Sequence, residues 1–425
     1  MLLLIQNGTV INPADQTELA ADVLVEDGII KKIAPQQKVK ADRVVDASGC
    51  YVMPGFVDMH VHLRDPGQEH KETVETGARA AAHGGFTTIV AMPNTKPVVD
   101  NADVVNYVHN KARDMRLVNI LQAGAVTKGQ RGEELSDIEA MVEAGIPALS
   151  EDGKTVMNAQ LYREAMTLAV KYDIPMLAHC EDANMVGLGV VNADKAMKKL
   201  GFLGISNAVE DVIVARDIML AKDTGAALHL CHCSTKDSVR MVELAKEAGI
   251  RVTAEACPHH FALTSADIPG NDANYKMNPP LRTKEDRDAL REGLKNGIID
   301  VIATDHAPHT PIEKGVGIKK APFGVVGLET AASITMTELV DKGFLTIMQM
   351  AEKMSYNPAK LLGLDKGCVE EGKAADLVVF HPKKQYEIDP GEFQSKGRNT
   401  PFAGKKVKGM VMATIVDGRV IYERA

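Results

Sequence analysis

The strongest constraint on this chain is an alternation through its middle. Between Pro54 and about Ala351, eight short runs of strand character are each followed by a stretch of helical period. Strands are read at 56–62, 86–92, 118–124, 148–152, 174–180, 227–232, 251–257 and 300–306. Helices are expected over 71–83, 103–115, 137–144, 159–172, 207–223, 234–248, 284–296 and 327–340. Most strand runs are continuously apolar, as in FTTIVAM (86–92), the pattern of strands buried on both faces of a parallel sheet. Eight regular units favour a closed (β/α)8 TIM-like barrel, an α/β fold, over an open doubly wound sheet.

The flanks read differently. The first fifty residues are short β-type runs divided by Asn7-Gly8, Asp27-Gly28 and Ser48-Gly49, and the far end repeats the style with Asp417-Gly418. Such dipeptides supply the positive φ of tight hairpins. The expected division is a small β-sandwich domain built from both termini, 1–53 plus 366–425, around a barrel at 54–365; two separate β caps would leave the same pattern.

Composition narrows the function classes. Forty-nine Lys+Arg against 57 Asp+Glu give a net charge of −8, without the basic field that nucleic-acid binding needs. No apolar run approaches the ~18 residues of a membrane helix. The opening MLLLI has no basic flank, so neither a signal peptide nor an anchor is expected. Six scattered cysteines do not form a disulfide framework, and a cytoplasmic enzyme is the default reading.

In a barrel of this kind reactive side chains gather at the carboxyl ends of the strands. Strand 1 closes on Asp58-Met59-His60-Val61-His62, where strict alternation puts Asp58, His60 and His62 on one face and Val57, Met59 and Val61 on the other. Two imidazoles one pleat apart can chelate a metal ion; alone, the pair could equally be packed under a loop. The pattern then recurs: strand 4 ends in Asp152, strand 5 in His179, strand 6 in His232 and strand 8 in Asp305. Four imidazoles and two carboxylates suit Zn²⁺ or a similar divalent ion, and six ligands can hold two ions with one carboxylate between them. Alternation assigns His229 and His306 to the opposite face, as structural residues.

PGFVDMHVHLRDPG, AMPNT, EDGK, AHCED, CHCST, ATDHAPH and PFGVVGLET, in that order, resemble the dihydroorotases of the amidohydrolase superfamily, in the bacterial class with Asp rather than a carboxylated Lys on strand 4. The resemblance covers the full length. It implies reversible ring opening of (S)-dihydroorotate to N-carbamoyl-L-aspartate in pyrimidine (UMP) biosynthesis. It also implies two zinc ions, one on His60, His62 and Asp305, the other on His179 and His232, with Asp152 bridging. His62, Arg64, Asn94, Asn278, His309 and the Phe323-Gly324 backbone would hold the substrate, and Asp305 would be the catalytic acid/base. The roles are chemically coherent: a ring amide is a poor electrophile and water a poor nucleophile, and metal ions address both.

Blander readings stand beside these. Arg64 could pair with Asp65 at the surface, Asn94 and Asn278 could be turn residues, and His309 a loop cap. The cysteines beside ligands read as small buried hydrophobes. His259-His260 would brace the pocket through hydrogen bonds, and 310–324 reads as a mobile lid or an ordinary surface loop. Hydantoinases and allantoinases share the barrel and the chemistry but bridge their metals through a carboxylated Lys, whereas here Lys154 falls two residues past Asp152. A non-catalytic subunit assembling aspartate carbamoyltransferase would lack ligands that are all in place here. A homodimer, and association with that transferase as an active partner, stay open.

Overall fold

The computed structural model describes residues 1–424. All eight expected strands form: β1 Phe56–Val61, β2 Phe86–Ala91, β3 Asn119–Gln122 continuing as Gly124–Ala125, β4 Leu149–Ser150, β5 Met176–Ala178, β6 Leu228–Leu230, β7 Val252–Ala256 and β8 Val301–Ile302. Each pairs in parallel with the next, and a parallel bridge from Val61 to His306 closes the ring. The helices follow in step: α1 Val74–His83, α2 Ala102–Met115, α3 Ile138–Glu143, α4 Ala159–Lys171, α5 Ala208–Thr224, α6 Lys236–Glu247, α7 Lys284–Lys295 and α8 Ala331–Thr335. Thr73, Thr235 and Thr283 begin α1, α6 and α7 by accepting a backbone N–H, which fixes where each chain segment turns down the barrel wall.

The lumen is filled by Val57, Met59, Val90, Met92, Ala148, Leu177, Cys231, Val301 and Ala303, closed below by Ala359 and Leu362. Chemistry is thus confined to the carboxyl end.

Three local expectations are corrected. β8 stops at Ile302 rather than 306, because the backbone turns left-handed at Asp305 (φ 47°) and leaves the ladder. The last helix shortens to Ala331–Thr335 and continues as a π turn over Met336–Val340. The unassigned stretch after β5 carries its own two-strand ladder, Val191–Asn192 on Gly204–Ile205, and a short helix, Lys195–Lys199.

The flanks form two sheets. One, of four strands, is ordered Ile29–Ala34, Asp22–Glu26, Leu2–Gln6, Arg43–Asp46. The other, of six, runs Arg419–Glu423, Lys406–Val416, Leu377–Glu387, Tyr51–Pro54, Thr9–Asn12, Thr17–Ala20, so strands from both ends of the chain share one sheet. Leu3, Ile5, Val23 and Ile30 from the first pack with Val10, Val52, Leu377, Val379 and Ile415 from the second. Asp27-Gly28 and Asp417-Gly418 are two-residue turns with φ of 49° and 88°, and 47° and 70°, a geometry for which Asp and Gly carry the least steric cost. Asn7-Gly8 is not such a turn: only Asn7 has positive φ. Among the described residues no helix is long and apolar enough to cross a membrane.

Candidate active site

His60 and His62 reach the centre by a route that alternation misses. Val57 and Met59 already face the lumen, so strict period would turn His60 away. Between Asp58 and Val61 the ladder to β2 slips: three steps on β1 match two on β2 (Asp58 opposite Ile89, Val61 opposite Ala91). This bulge shifts the phase, and both imidazoles turn inward. His232 is re-aimed by a left-handed backbone (φ 33°) beyond the end of β6. The assignment of His229 and His232 to opposite faces does not hold: His229 Nε2 turns to Glu255, which also bonds His60, and His232 Nε2 lies 3.6 Å from Asp152 Oδ1. Glu255 on β7 bonds His229 Nε2 at 3.0 Å and accepts the His232 backbone N–H at 3.0 Å.

The expected ligands converge. His60 Nε2 lies 3.1 Å from Asp152 Oδ1 and 3.6 Å from Asp305 Oδ1. His62 Nε2 lies 3.3 Å from Asp152 Oδ2 and 3.1 Å from Asp305 Oδ1. His179 Nδ1 and His232 Nε2 stand 3.4 and 3.6 Å from Asp152 Oδ1 and 2.9 Å from each other. Asp152 is therefore central to all four imidazoles, and every one of the six residues is buried.

The donor chemistry fits a cation. His60 Nδ1 is 2.8 Å from Glu255 Oε1, and His62 Nδ1 is 2.9 Å from Asn94 Oδ1. Both partners are acceptors, so both Nδ1 atoms carry the proton and both Nε2 atoms point bare lone pairs at carboxylates. His60 Nε2 and Asp152 Oδ1 have no hydrogen-bond partner although buried. Lone pairs so crowded repel unless positive charge lies among them, as metal ions would supply. Burial opposes ionisation of Asp152, yet His60, His179 and His232 outweigh it and hold the carboxyl well below its usual range. For Asp305 burial is likewise overcome, chiefly by His62 and His60, and its pKa falls to about 2.

Beside this nest opens a cleft of about 470 Å³ whose lining includes His62, Arg64, Asn94, Asn278, His309, Phe323 and Gly324. Arg64 is buried and makes no ion pair among the described residues; its guanidinium reaches only Pro308 O (3.4 Å) and His309 Nε2 (3.5 Å). The surface pairing with Asp65 is excluded, because Asp65 is held by Lys111 at 2.9 Å and Tyr107 at 3.0 Å. Asn94 orients His62, and Asn278 donates to Glu181 at 2.6 Å. His309 donates from Nε2 to Phe323 O at 2.8 Å, and burial next to Arg64 and Lys71 lowers its pKa to about 3, leaving it neutral. Gly324 lines the cleft, but its N–H already donates to Lys276 O at 3.0 Å.

The stretch 310–324 is anchored at several points, although Ile312 and Val316 on it are exposed. Thr310 caps a short helix, Pro311–Lys314, and buried Lys314 is bonded to three backbone carbonyls. Lys154 donates to Gln130 O at 2.8 Å, away from the ligands. His306 is structural, its Nε2 3.3 Å from Glu72. His260 braces Pro279 O at 2.8 Å, whereas His259 Nε2 has no partner. The six cysteines are free thiols, five of them buried.

Sequence reasoning missed Glu255, Lys71 and Glu181. The signal for Glu255 was a lone carboxylate inside the apolar run RVTAEAC. Lys71 and Glu181 sit on loops whose approach to the cleft no periodicity reveals.

Comparison with known proteins agrees with this geometry. Among solved structures, an L-hydantoinase (dihydropyrimidinase) from Arthrobacter aurescens is similar with a TM-score of 0.88 and 29% identity, covering 100% of this chain and 96% of that one. A dihydropyrimidinase from Brevibacillus agri gives a TM-score of 0.87 at 26% identity, covering 100% and 95%. Fold and site thus define the class, a TIM-barrel amidohydrolase. A profile described as Dihydro-orotase-like matches residues 49–238. Dihydroorotases of Thermoanaerobacter sp. and Pelotomaculum thermopropionicum are 48% and 49% identical over 424 residues, covering 100% of this chain and 98% and 99% of theirs. The chain belongs to the dihydroorotase family.

Proposed function

We propose that this protein interconverts (S)-dihydroorotate and N-carbamoyl-L-aspartate in pyrimidine synthesis. The observation that carries the reading is Arg64, a buried guanidinium without a carboxylate partner at the edge of an imidazole–carboxylate nest. Burying an uncompensated cation is costly, and a substrate carboxylate held bidentately by its planar fork compensates it. Asn94, Asn278, His309 and the Phe323-Gly324 edge surround the rest of a small polar ring. The position of Lys154, outside the nest, favours this substrate over the neutral ring amides of enzymes that bridge through a modified lysine.

Two Zn²⁺ ions are the proposed cofactor, one on His60, His62 and Asp305, the other on His179 and His232, with Asp152 shared. When bound, such ions lower the pKa of coordinated water and polarise the amide carbonyl. Asp305 takes the proton from the attacking water and returns it to the leaving ring nitrogen. Its low pKa keeps it ionised at neutral pH. Glu255 and Asn94 fix the tautomers of His60 and His62. Ring opening creates a carboxylate and releases a proton, so rising pH favours carbamoyl aspartate and falling pH favours cyclisation.

The remaining proposals concern setting. Residues 1–53 with 366–425 form one domain and 54–365 the other. Free, mostly buried thiols fit the reducing cytoplasm, and a homodimer or a complex with aspartate carbamoyltransferase is the assembly proposed. The deciding assay supplies dihydroorotate, hydantoin and allantoin to metal-quantified protein. Turnover of dihydroorotate with about two metals per chain is expected; turnover of hydantoin alone would overturn the assignment.

A further inference from the structure

One edge of the cleft is built by two loops that follow β8: Ala307–His309 and Phe323–Gly324. Neither is part of a regular element, so something must fix their spacing. A strap from the C-terminal flank, residues 394–402, crosses them. Gln394 and Ser395 anchor it by donating backbone N–H groups to Glu329 at 2.8 and 3.1 Å, and Lys396 N donates to Glu72 at 3.2 Å. Gly397 lets it lie flat: a Cβ there would stand 2.6 Å from Val326 Cγ1 and 2.7 Å from Pro308 Cβ.

Asn399 is the strap's point of contact with the cleft, and its polar groups are all engaged. Its Nδ2 donates to Ala307 O and Gly324 O, both at 3.0 Å, and its Oδ1 accepts the His309 backbone N–H at 3.0 Å. Its own carbonyl accepts from Val326 N at 2.9 Å. Lys314 meets the same target, donating to Gly324 O at 2.8 Å, Pro322 O at 3.0 Å and Lys276 O at 3.2 Å. Gly324 has φ 134° and no room for a Cβ, which would lie 2.8 Å from Ala307 O. The two loops therefore touch, and hydrogen bonds hold them there: Ala307 N to Val325 O, His309 Nε2 to Phe323 O, and the Asn399 and Lys314 side chains to Gly324 O.

We infer that Asn399, together with Lys314, is a positioning residue for substrate binding, clamping His309 and Gly324 at the spacing the substrate requires. The inference rests on the proposed dihydroorotase reaction. Neither residue reaches the metal nest, whose imidazoles are held by Glu255 and Asn94 instead. A loosened clamp should therefore weaken binding and leave the chemical step largely intact.

The test is steady-state kinetics on metal-replete protein. In Asn399→Ala the KM for both dihydroorotate and carbamoyl aspartate should rise about 10-fold, with kcat within about 3-fold of the parent and metal content unchanged. Lys314→Met should raise KM in the same direction. Because both side chains hold one carbonyl, the double variant should raise KM by less than the product of the single effects. Should Asn399→Ala not accumulate, Asn399→Ser carries the same test. Folded, metal-replete variants with the parental KM, or a loss confined to kcat, would overturn the clamp. A parent protein that does not turn over dihydroorotate would defeat the proposed reaction instead, so the two failures are distinct.

Discussion

The two halves of the cleft are built on different principles. The metal-facing half stands on strand ends and is braced through the barrel: one carboxylate, Glu255, touches His60, His229 and the backbone of His232. The substrate-facing half hangs on loops, and its groups are placed by bonds to other loops: Arg64 to Pro308 O, Asn278 to Glu181, Gly324 to Lys314 and Asn399. With the roles proposed above, chemistry would be seated on strand ends and recognition on loops, where the chain can vary without disturbing the ladder. Changes in the first half should appear in kcat and metal content, and changes in the second in KM.

The largest effect expected is at Asp305. Asp305→Asn keeps the shape but removes the proton acceptor, and kcat should fall by about 10²–10⁴; near-parental turnover would break the assignment of chemistry to the metal half. Arg64→Met should raise KM by roughly 10–100-fold with a smaller change in kcat, in line with losing a charge-assisted, bidentate contact. A loss of bound metal in that variant, read by elemental analysis, would mean the halves are not separable. Glu255→Gln should lower metal affinity about 10-fold or more by releasing His60, without a matching rise in KM for substrate at saturating metal. Competition with a chelator measures it.

The smallest effect tests the outer edge. Lys71 bonds Glu313 across the cleft mouth at 2.8 Å. Burial raises the Glu313 pKa, but Lys71 and the Thr310 N–H outweigh it and the value falls to about 2. A carboxyl lowered in the folded state adds stability above its unfolded range near 4.5, lost as pH drops toward 2. Glu313→Gln should therefore cost roughly 0.5 kcal/mol at pH 7 and flatten the acid side of the thermal-stability profile between about pH 4.5 and 2. An unchanged profile would show the pair to be ornamental.

Legibility in the sequence divides along the same line. The barrel and its six candidate ligands were readable because strand period and strand ends place residues without knowledge of distant contacts. Even there period alone does not aim His60 and His232, which a bulge and a left-handed residue turn to the centre; such features depend on neighbouring strands. Arg64 was visible by position, but its freedom from Asp65 was not, since that depends on Lys111 from a later helix. Asn399 was invisible, lying 75 to 92 residues from the loop groups it touches. The two-strand ladder after β5 was missed because its runs are only two residues long.

The shared sheet of the sandwich has a consequence for how the molecule comes into being. Val52 pairs with Val379, so a strand made early must wait for one translated 327 positions later. At about 5–20 residues per second that interval is on the order of tens of seconds. Throughout it the edge of Tyr51–Pro54 is without that neighbour, while the whole barrel emerges in between. The first sheet, made wholly from residues 2–46, can precede the barrel, but the second is completed only after it, and a ribosome stalled near residue 370 would leave an unsealed β edge at Tyr51–Pro54, the point at which chaperones or sister chains have most to grasp.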